Sequence, residues 1–213
     1  MQIDVWSDFA CPWCALGLAR LRAALATFEH TADVRVVHRS FELDPRAPAR
    51  REVSHEAAVA AKYGVDIRRV RALHEQMTEL GAEVGVVFDF ARIQGGSTFD
   101  AHRLAQAARG RPCEESLVGG LFAAHFSQGL VLADHDVLRA VADAAGLEER
   151  VTKEVLETDA YAAEVRADEA DARARDVTGV PYFLLGGRWP VPGAQDVETM
   201  GIVLRRAWSR LGE

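Results

Sequence analysis

Two cysteines separated by two residues stand where a predicted strand ends and a predicted helix begins. The motif Cys11-Pro12-Trp13-Cys14 follows the mainly apolar run 3–9 and precedes leucines at helical spacing. The first backbone N–H groups of a helix lack intrahelical acceptors, and the peptide dipoles place about half a positive charge there. We therefore predict Cys11 at the N-cap, with its sulfur near the N–H groups of Trp13 and Cys14, and Pro12 at the first helical position. A thiolate is stabilised at such a place, so Cys11 is the predicted nucleophile.

Cys14 lies one helical turn after Cys11. Residues at this spacing have α-carbons about 5 Å apart, inside the roughly 4.4–6.8 Å window that a disulfide requires. Because the helix and the sheet cover Cys14, we expect its pKa to stay higher and this thiol to act second. It would attack the mixed disulfide that Cys11 forms with a substrate.

Two other interpretations of the cysteine pair are weaker. A zinc site needs about two more ligands, but the third cysteine is the lone Cys113, and the seven histidines include no H-x-x-x-H pair. A structural disulfide that closes so short a loop contributes little stability. Redox chemistry is therefore favoured and no metal is predicted. Cys113 is predicted to begin a helix as a free thiol.

Composition excludes several classes of partner. The 213 residues suffice for one large domain, or for a core domain with an insertion. The net charge of −7, without a cluster of Lys or Arg beside aromatics, indicates neither nucleic acid nor a membrane surface as partner. Asp4 and Asp8 interrupt what would be the apolar core of a signal peptide, and no apolar run has membrane length. We expect a cytoplasmic protein, in which a persisting disulfide is more often catalytic than structural.

The hydrophobic periods predict the order of the elements. The β-branched run 34–43 predicts a second strand parallel to the first. His38 lies in this run and is predicted to be a structural histidine of the sheet with its hydrogen bonds formed, not a ligand. From about 54 to 156 the periods are helical, with helices beginning near Asp66, Thr98, Glu114 and Asp134. The segment 158–177 is predicted to turn Tyr161, Val165 and Ala172 inward and its many charges outward. A final helix begins near Asp196.

Two glycine-containing segments leave alternatives open. Gly95-Gly96 before Ser97 and Thr98 suits a tight turn with exposed N–H groups that could hold a carboxylate or a carbonyl, but a plain helix cap is the favoured interpretation. The run 178–189 predicts an antiparallel hairpin about Gly186-Gly187. Pro181 lies at the start of the first strand of this hairpin, where it has no backbone N–H to donate to a neighbouring strand. A cis Val180–Pro181 bond would explain this position, although base rates favour a trans bond.

Three motifs carry a resemblance to a known family: Asp8-x-x-Cys11-Pro12-Trp13-Cys14, Ser97-Thr98-x-x-Ala101-His102-Arg103 and Thr178-Gly179-Val180-Pro181-Tyr182-Phe183. Over essentially its whole length the chain resembles DsbA-like proteins, most closely the FrnE branch. That branch is related to 2-hydroxychromene-2-carboxylate isomerases and kappa-class glutathione transferases. The resemblance implies an α/β thioredoxin fold, with a central mixed sheet flanked by helices and an inserted all-helical domain. The thioredoxin-like domain would comprise 1–52 and 157–213, and the helical insertion 53–156.

The resemblance also implies roles for individual residues. Cys11 matches the nucleophile, Cys14 the resolving thiol and Pro181 the cis-proline. The backbone of Val180 would pair with an extended substrate. A further group is assigned to substrate binding: His102, near the glutathione or substrate pocket, with Phe9, Pro12 and Trp13. Ser97 departs from the Asn that relatives often carry.

The predicted function is that of a DsbA-like protein disulfide oxidoreductase or isomerase acting through the Cys-Pro-Trp-Cys motif. Its partner would be a protein or a small thiol or disulfide, with glutathione as a candidate co-substrate. No cofactor is expected beyond the Cys11–Cys14 disulfide, and the state would be a monomer or a homodimer. The alternative is a glutathione-dependent isomerase or transferase acting on an aromatic or polyketide-like small molecule. Such enzymes generally lack the cysteine pair. A redox-regulated holdase that binds unfolded chains is a third hypothesis.

Overall fold

A four-stranded mixed sheet forms the centre of the molecule, whose computed structural model describes residues 1–211. The strand order is β2-β1-β3-β4, with strands β1 (Gln2–Ser7), β2 (Arg35–Ser40), β3 (Tyr182–Leu185) and β4 (Trp189–Pro192). Strand β1 runs parallel to β2 and antiparallel to β3, and β3 and β4 form an antiparallel hairpin. The predicted parallel pair and the predicted hairpin are both confirmed.

Helices cover the sheet and fill the long segment between β2 and β3. They are α1 (Pro12–Ala26), α2 (His55–Tyr63), α3 (Ile67–Ala82), α4 (Phe99–Ala108), α5 (Glu114–Phe126), α6 (His135–Ala145), α7 (Glu149–Glu157), α8 (Ala162–Ala174) and α9 (Val197–Ser209). This arrangement confirms the α/β thioredoxin fold with inserted helices. The residue boundaries of the two domains stay a prediction. Helix α7 was not predicted, because its nine residues are rich in charge and its apolar stripe is short.

Alternation along β1 places its side chains on opposite faces of the sheet. Ile3 and Val5 enter the main core with the leucines of α1. Trp6, on the other face, packs with Ala172 of α8. The sheet is thus covered on both sides, and the carboxyl end of β1 leads directly to the cysteine motif.

The prediction for α8 was wrong in one respect. Val165 and Ala172 are buried as predicted, but Asp168 and Glu169 are also buried, each with 5 % of its surface exposed. The Asp168 carboxylate accepts hydrogen bonds from Gln106 and from the backbone of Ser40. Charge alone therefore did not indicate which face of α8 is exposed.

Within residues 1–211, no helix combines the length and the apolar character needed to cross a lipid bilayer.

Candidate active site

Cys11 lies at the N-cap of α1 and Pro12 at its first position, as predicted. The Cys11 thiol does not cap the helix, so the predicted contact with the N–H groups of Trp13 and Cys14 is not formed as a hydrogen bond. A thiol is a donor, and Cys11 Sγ instead lies 3.5 Å from the carbonyl oxygen of Val180. Cys11 and Cys14 are both free thiols, with 5 % and 0 % of their surfaces exposed.

The environment of Cys14 separates it chemically from Cys11. Burial raises the pKa of the Cys14 thiol well above its ordinary value, and the neighbouring Cys11 side chain raises it further. The backbone N–H of Asp8 lowers this pKa, whereas the negative charge of the Asp8 carboxylate raises it. The direction agrees with the predicted order of reaction, in which Cys14 acts second.

The loop before β3 forms the other side of the site. The Val180–Pro181 bond is cis, which decides between the two alternatives left open by the sequence. Pro181 is buried, and its carbonyl accepts a hydrogen bond from Gly193 N at 2.8 Å. A Cβ atom on Gly17 of α1 would lie 2.9 Å from Pro181 Cγ, so only glycine lets α1 approach this loop so closely. Within residues 1–211, the N–H of Val180 makes no hydrogen bond, and the residue is half-buried.

The predicted substrate-binding residues divide into two layers. Trp13, which is 36 % exposed, and the half-buried Pro12 lie at the surface beside Cys11. Phe9 and His102 lie below it, with 3 % and 2 % exposed, and their ring centroids are 4.8 Å apart. Direct contact of Phe9 or His102 with a substrate stays a prediction.

Asp8 is a buried carboxylate for which the sequence predicted no role beyond its place in the motif Asp8-x-x-Cys11. Its Oδ1 accepts hydrogen bonds from the Thr98 hydroxyl at 2.8 Å and from Ala10 N at 3.2 Å, and its Oδ2 accepts one from Leu43 N at 2.7 Å. His102 Nε2 lies 3.4 Å from Oδ1. One feature of the sequence could have indicated a role for Asp8: it is a polar residue directly after a buried strand and three residues before the first cysteine.

The charge state of Asp8 follows from these partners. Burial raises the pKa of the Asp8 carboxyl, but the interaction with His102 opposes this effect, and the Leu43 N–H and the Thr98 hydroxyl add to the opposition. The net result is a pKa below the ordinary value of 3.8. Asp8 is therefore ionised at neutral pH.

A cleft of about 670 Å³ adjoins the cysteine motif. Asp8 and Ala10 lie on one side of it and helix α2 on the other, and the basic residues Arg51 and Lys62 are part of its lining. The cleft is large enough for a small ligand. Asp8 and Asp44 also line it, and Arg51 is paired with Asp44, so Lys62 is the basic lining residue that is left to face an anionic ligand.

The glycine turn 95–96 also lines this cleft, but its backbone is less free than predicted. Ser97 N donates to Pro48 O and Arg51 N donates to Gly95 O, both at 2.8 Å. A Cβ atom on Gly96 would lie 2.3 Å from Ala49 O. The glycine thus permits close packing against the 48–51 loop.

Cys113 and His38 have structural surroundings. Cys113 is the N-cap of α5 and a half-buried free thiol, as predicted. His38 Nε2 lies 2.7 Å from Glu115 Oε1, an interaction that contributes most to lowering the pKa of Glu115 to about 2.

Comparison with known proteins supports the fold and the family. A family profile described as a DSBA-like thioredoxin domain matches residues 2–204. The structure of a probable DsbA oxidoreductase from Streptomyces coelicolor is 38 % identical, with a TM-score of 0.93 over 99 % of this chain and 91 % of that one.

Two more distant structures show the same fold. A 2-hydroxychromene-2-carboxylate isomerase is 17 % identical, with a TM-score of 0.67 over 100 % of this chain and 96 % of that one. The cytosolic disulfide reductase DsbM from Pseudomonas aeruginosa, solved with GSH, is 18 % identical, with a TM-score of 0.65 over 98 % and 100 % of the two chains. The family match and the Streptomyces relative confirm the predicted resemblance: the chain belongs to the DSBA-like thioredoxin domain family.

Proposed function

We propose that this protein is a thiol–disulfide oxidoreductase in which Cys11 exchanges with the substrate and Cys14 resolves the intermediate. The observation that carries the proposal is the arrangement of the two thiols. Cys11 stands at the start of α1 beside the Val180 carbonyl, and Cys14 is fully buried one turn later. The helix terminus stabilises the Cys11 thiolate, which is the attacking species.

The reaction consists of two exchanges. In the first, the Cys11 thiolate attacks one sulfur of a substrate disulfide, a mixed disulfide forms, and the other substrate sulfur leaves as a thiolate. In the second, the Cys14 thiolate attacks the Cys11 sulfur and releases the remaining substrate thiolate. The Cys11–Cys14 disulfide has then formed, and two electrons have passed to the substrate. The reverse sequence oxidises a dithiol.

The surface beside Cys11 suits an extended substrate. The free N–H of Val180 can pair with a backbone carbonyl of a polypeptide, in the manner of strand addition. Trp13 and Pro12 flank the same thiol and offer apolar surface. Phe9 supports this surface from below.

We propose that the protein works in the reducing direction in the cytoplasm, with glutathione as its co-substrate. Trp13 places no positive charge between the cysteines, so a cytosolic glutathione pool would hold the pair largely reduced. Lys62 in the adjoining cleft suits a carboxylate of glutathione, whereas Arg51 there is paired with Asp44. The likeness to DsbM, whose structure contains GSH, supports this choice at the level of the fold.

The same cleft favours one second candidate, a glutathione-dependent isomerase of a small aromatic molecule. A cleft of about 670 Å³, lined by Asp8 and Ala10 next to the cysteine motif, could hold such a substrate, and the fold is also that of a 2-hydroxychromene-2-carboxylate isomerase. The two functions differ in their need for Cys14. Isomerase turnover would survive Cys14→Ala, whereas the complete exchange cycle would not.

The proposal is tested by glutathione-driven reduction of insulin. We expect Cys11→Ser to reduce the rate to background and Cys14→Ser to stop multiple turnover. Cys113→Ser is the matched control and should retain the full rate. Undiminished insulin reduction by the folded Cys11→Ser variant would overturn the proposal.

A further inference from the structure

We propose that helix α2 is a movable lid over the cleft beside the cysteine motif, and that the stacked rings of His55 and His74 form the clasp that holds it closed. The clasp is stable only while both rings are uncharged, so the lid opens at acid pH. This device lies among the inserted helices and does not depend on the thiol chemistry proposed above.

Helix α2 is weakly attached to the rest of the molecule. None of its residues is fully buried, whereas α1 and α3–α9 each bury at least two residues. At its carboxyl end, Gly64 has a φ of 63°, and a Cβ atom there would meet nothing within 4 Å. A segment with so little buried surface opens at a low cost in free energy.

One side of the cleft is formed by α2. The lining residues of this helix are His55, Ala58, Val59, Ala61 and Lys62. His125 of α5, which is 3 % exposed, lines the cleft from the body of the molecule. A displaced α2 would therefore remove one wall of the cleft and let a ligand enter or leave.

Side chains at the start of α2 join it to its neighbours. The His55 ring stacks on His74 of α3, with centroids 5.2 Å apart and 26° between the ring planes. His74 in turn stacks on the buried Phe90 at 3.9 Å and 4°. Glu56 also forms an ion pair with Arg71 at 3.0 Å, but the Arg71 side chain is 59 % exposed, and such pairs contribute little. The ring stack is thus the stronger attachment.

The stack does not tolerate a charge on both imidazoles. Two imidazolium rings 5.2 Å apart repel each other. His74 is 8 % exposed, and its Nδ1 is enclosed without a hydrogen-bond partner within residues 1–211, so no acceptor is in place for a second ring proton. Burial and the neighbouring His74 lower the pKa of His55 to about 4, and burial lowers the pKa of His74. Both rings are therefore neutral at neutral pH.

The charged groups around the clasp do not stabilise a protonated ring. Glu56, on α2 itself, opposes the lowered pKa of His55 and of His74 but is paired with Arg71. On α5, a charge on His125 would repel one on His55. The other charged groups that line the cleft are Asp8, Lys62 and the ion pair of Asp44 with Arg51. Within residues 1–211, no carboxylate forms an ion pair with either ring of the clasp.

The closed lid therefore becomes less stable as the pH falls. In an open lid the His55 ring is solvated and regains an ordinary pKa of about 6.5, so the open form binds a proton more readily than the closed form. The equilibrium shifts toward the open lid as the pH falls from about 6.5 toward 4. Between pH 7 and pH 5, protonation of His55 alone should raise the opening constant about 20-fold.

Hydrogen–deuterium exchange, read by mass spectrometry as protection factors, tests this pH dependence. An isolated helix of nine residues is marginal in water, so opening exposes the amides of α2. In the wild type, protection of 55–63 should fall at least about tenfold from pH 7 to pH 5, while α5 keeps its protection. His55→Phe retains a stacking ring that cannot titrate and should lose most of this fall. No fall in the wild type, or an equal fall in His55→Phe, would overturn the inference.

Two neighbouring substitutions on α2 identify the clasp at neutral pH. His55→Ala removes the stack and should lower the protection of α2 about tenfold at pH 7. Glu56→Gln removes the ion pair and should lower it about threefold or less. His55 and Glu56 are both only half-buried, so both variants should fold. Equal effects of the two substitutions would overturn the role of the ring stack.

Electron–electron double resonance shows whether α2 moves. Spin labels at the exposed positions Tyr63→Cys and Ala140→Cys, with the three native cysteines replaced by serine, should give one distance at pH 7 and a second population at pH 5. Adding His55→Phe should remove the second population. A single distance at both pH values would overturn the movable lid. The labelled protein has no active-site thiols, so this inference and the proposed function fail separately.

Discussion

Two buried aspartates, Asp8 below the thiols and Asp168 on α8, show how partners decide what a carboxylate does. The Asp168 side chain accepts from Arg109 at 2.6 Å and from Arg39 at 3.1 Å, and it is almost as buried as Asp8. Guanidinium groups stay charged at any physiological pH. Asp168 is therefore held by two guanidinium groups and joins the end of α4, α8 and β2.

Asp8 has a similar degree of burial but a different set of donors. Its donors are two backbone N–H groups and the Thr98 hydroxyl, and His102 Nε2 lies 3.4 Å from its Oδ1. Neutral donors therefore supply the hydrogen bonds of Asp8, whereas guanidinium groups hold Asp168. Burial alone would not have distinguished the two.

The largest expected effect comes from Asp168→Ala. This change leaves Arg109 and Arg39 facing an uncompensated, largely buried site, and breaking a buried ion pair costs about 3–5 kcal/mol. Urea denaturation should show a loss of this size in the free energy of unfolding. The folded variant should keep the wild-type rate of thiol–disulfide exchange. Asp136→Ala is the control, because Asp136 forms an exposed pair with Arg139 and should change stability by less than about 1 kcal/mol. Equal losses in the free energy of unfolding for Asp168→Ala and Asp136→Ala would contradict the structural role given to Asp168.

A smaller loss of stability, with a different pH dependence, is expected for Asp8→Asn. The amide retains the shape and some of the hydrogen bonds, so the loss at pH 7 should be about 1–3 kcal/mol. The pKa of Asp8 is lowered in the folded protein, so its contribution is present above the unfolded pKa of about 3.9 and is lost as the pH falls through the folded value. Urea denaturation from pH 7 to pH 3 should show that the difference in the free energy of unfolding between the wild type and Asp8→Asn decreases at acid pH. A difference in the free energy of unfolding that does not change with pH would contradict the lowered pKa of Asp8.

Local sequence signals predicted the fold and the position of the cysteine motif at the start of α1 well. The strand-to-helix junction at Cys11, the parallel β1–β2 pair and the hairpin each depend on residues that are close in sequence or on a clear hydrophobic period. The resemblance then supplied the cis-proline, which the residues alone left open.

The surroundings of Asp8 could not be predicted in the same way. Its partners Leu43 and Thr98 lie 35 and 90 residues away, so only the folded chain brings them together. The error on α8 was avoidable. Asp168 and Glu169 fall between Val165 and Ala172 at the i, i+3, i+4, i+7 spacing of one helical face, and that spacing indicated burial more reliably than charge.

The most direct test of the central claim is to trap the intermediate. Cys14→Ala in a Cys113→Ala background should retain, as seen by intact-protein and peptide mass spectrometry, one substrate peptide joined to Cys11 after reaction with a disulfide-linked peptide. The additional change Cys11→Ala should abolish the adduct. No adduct at Cys11 under conditions in which the wild type reduces the same peptide would contradict the account.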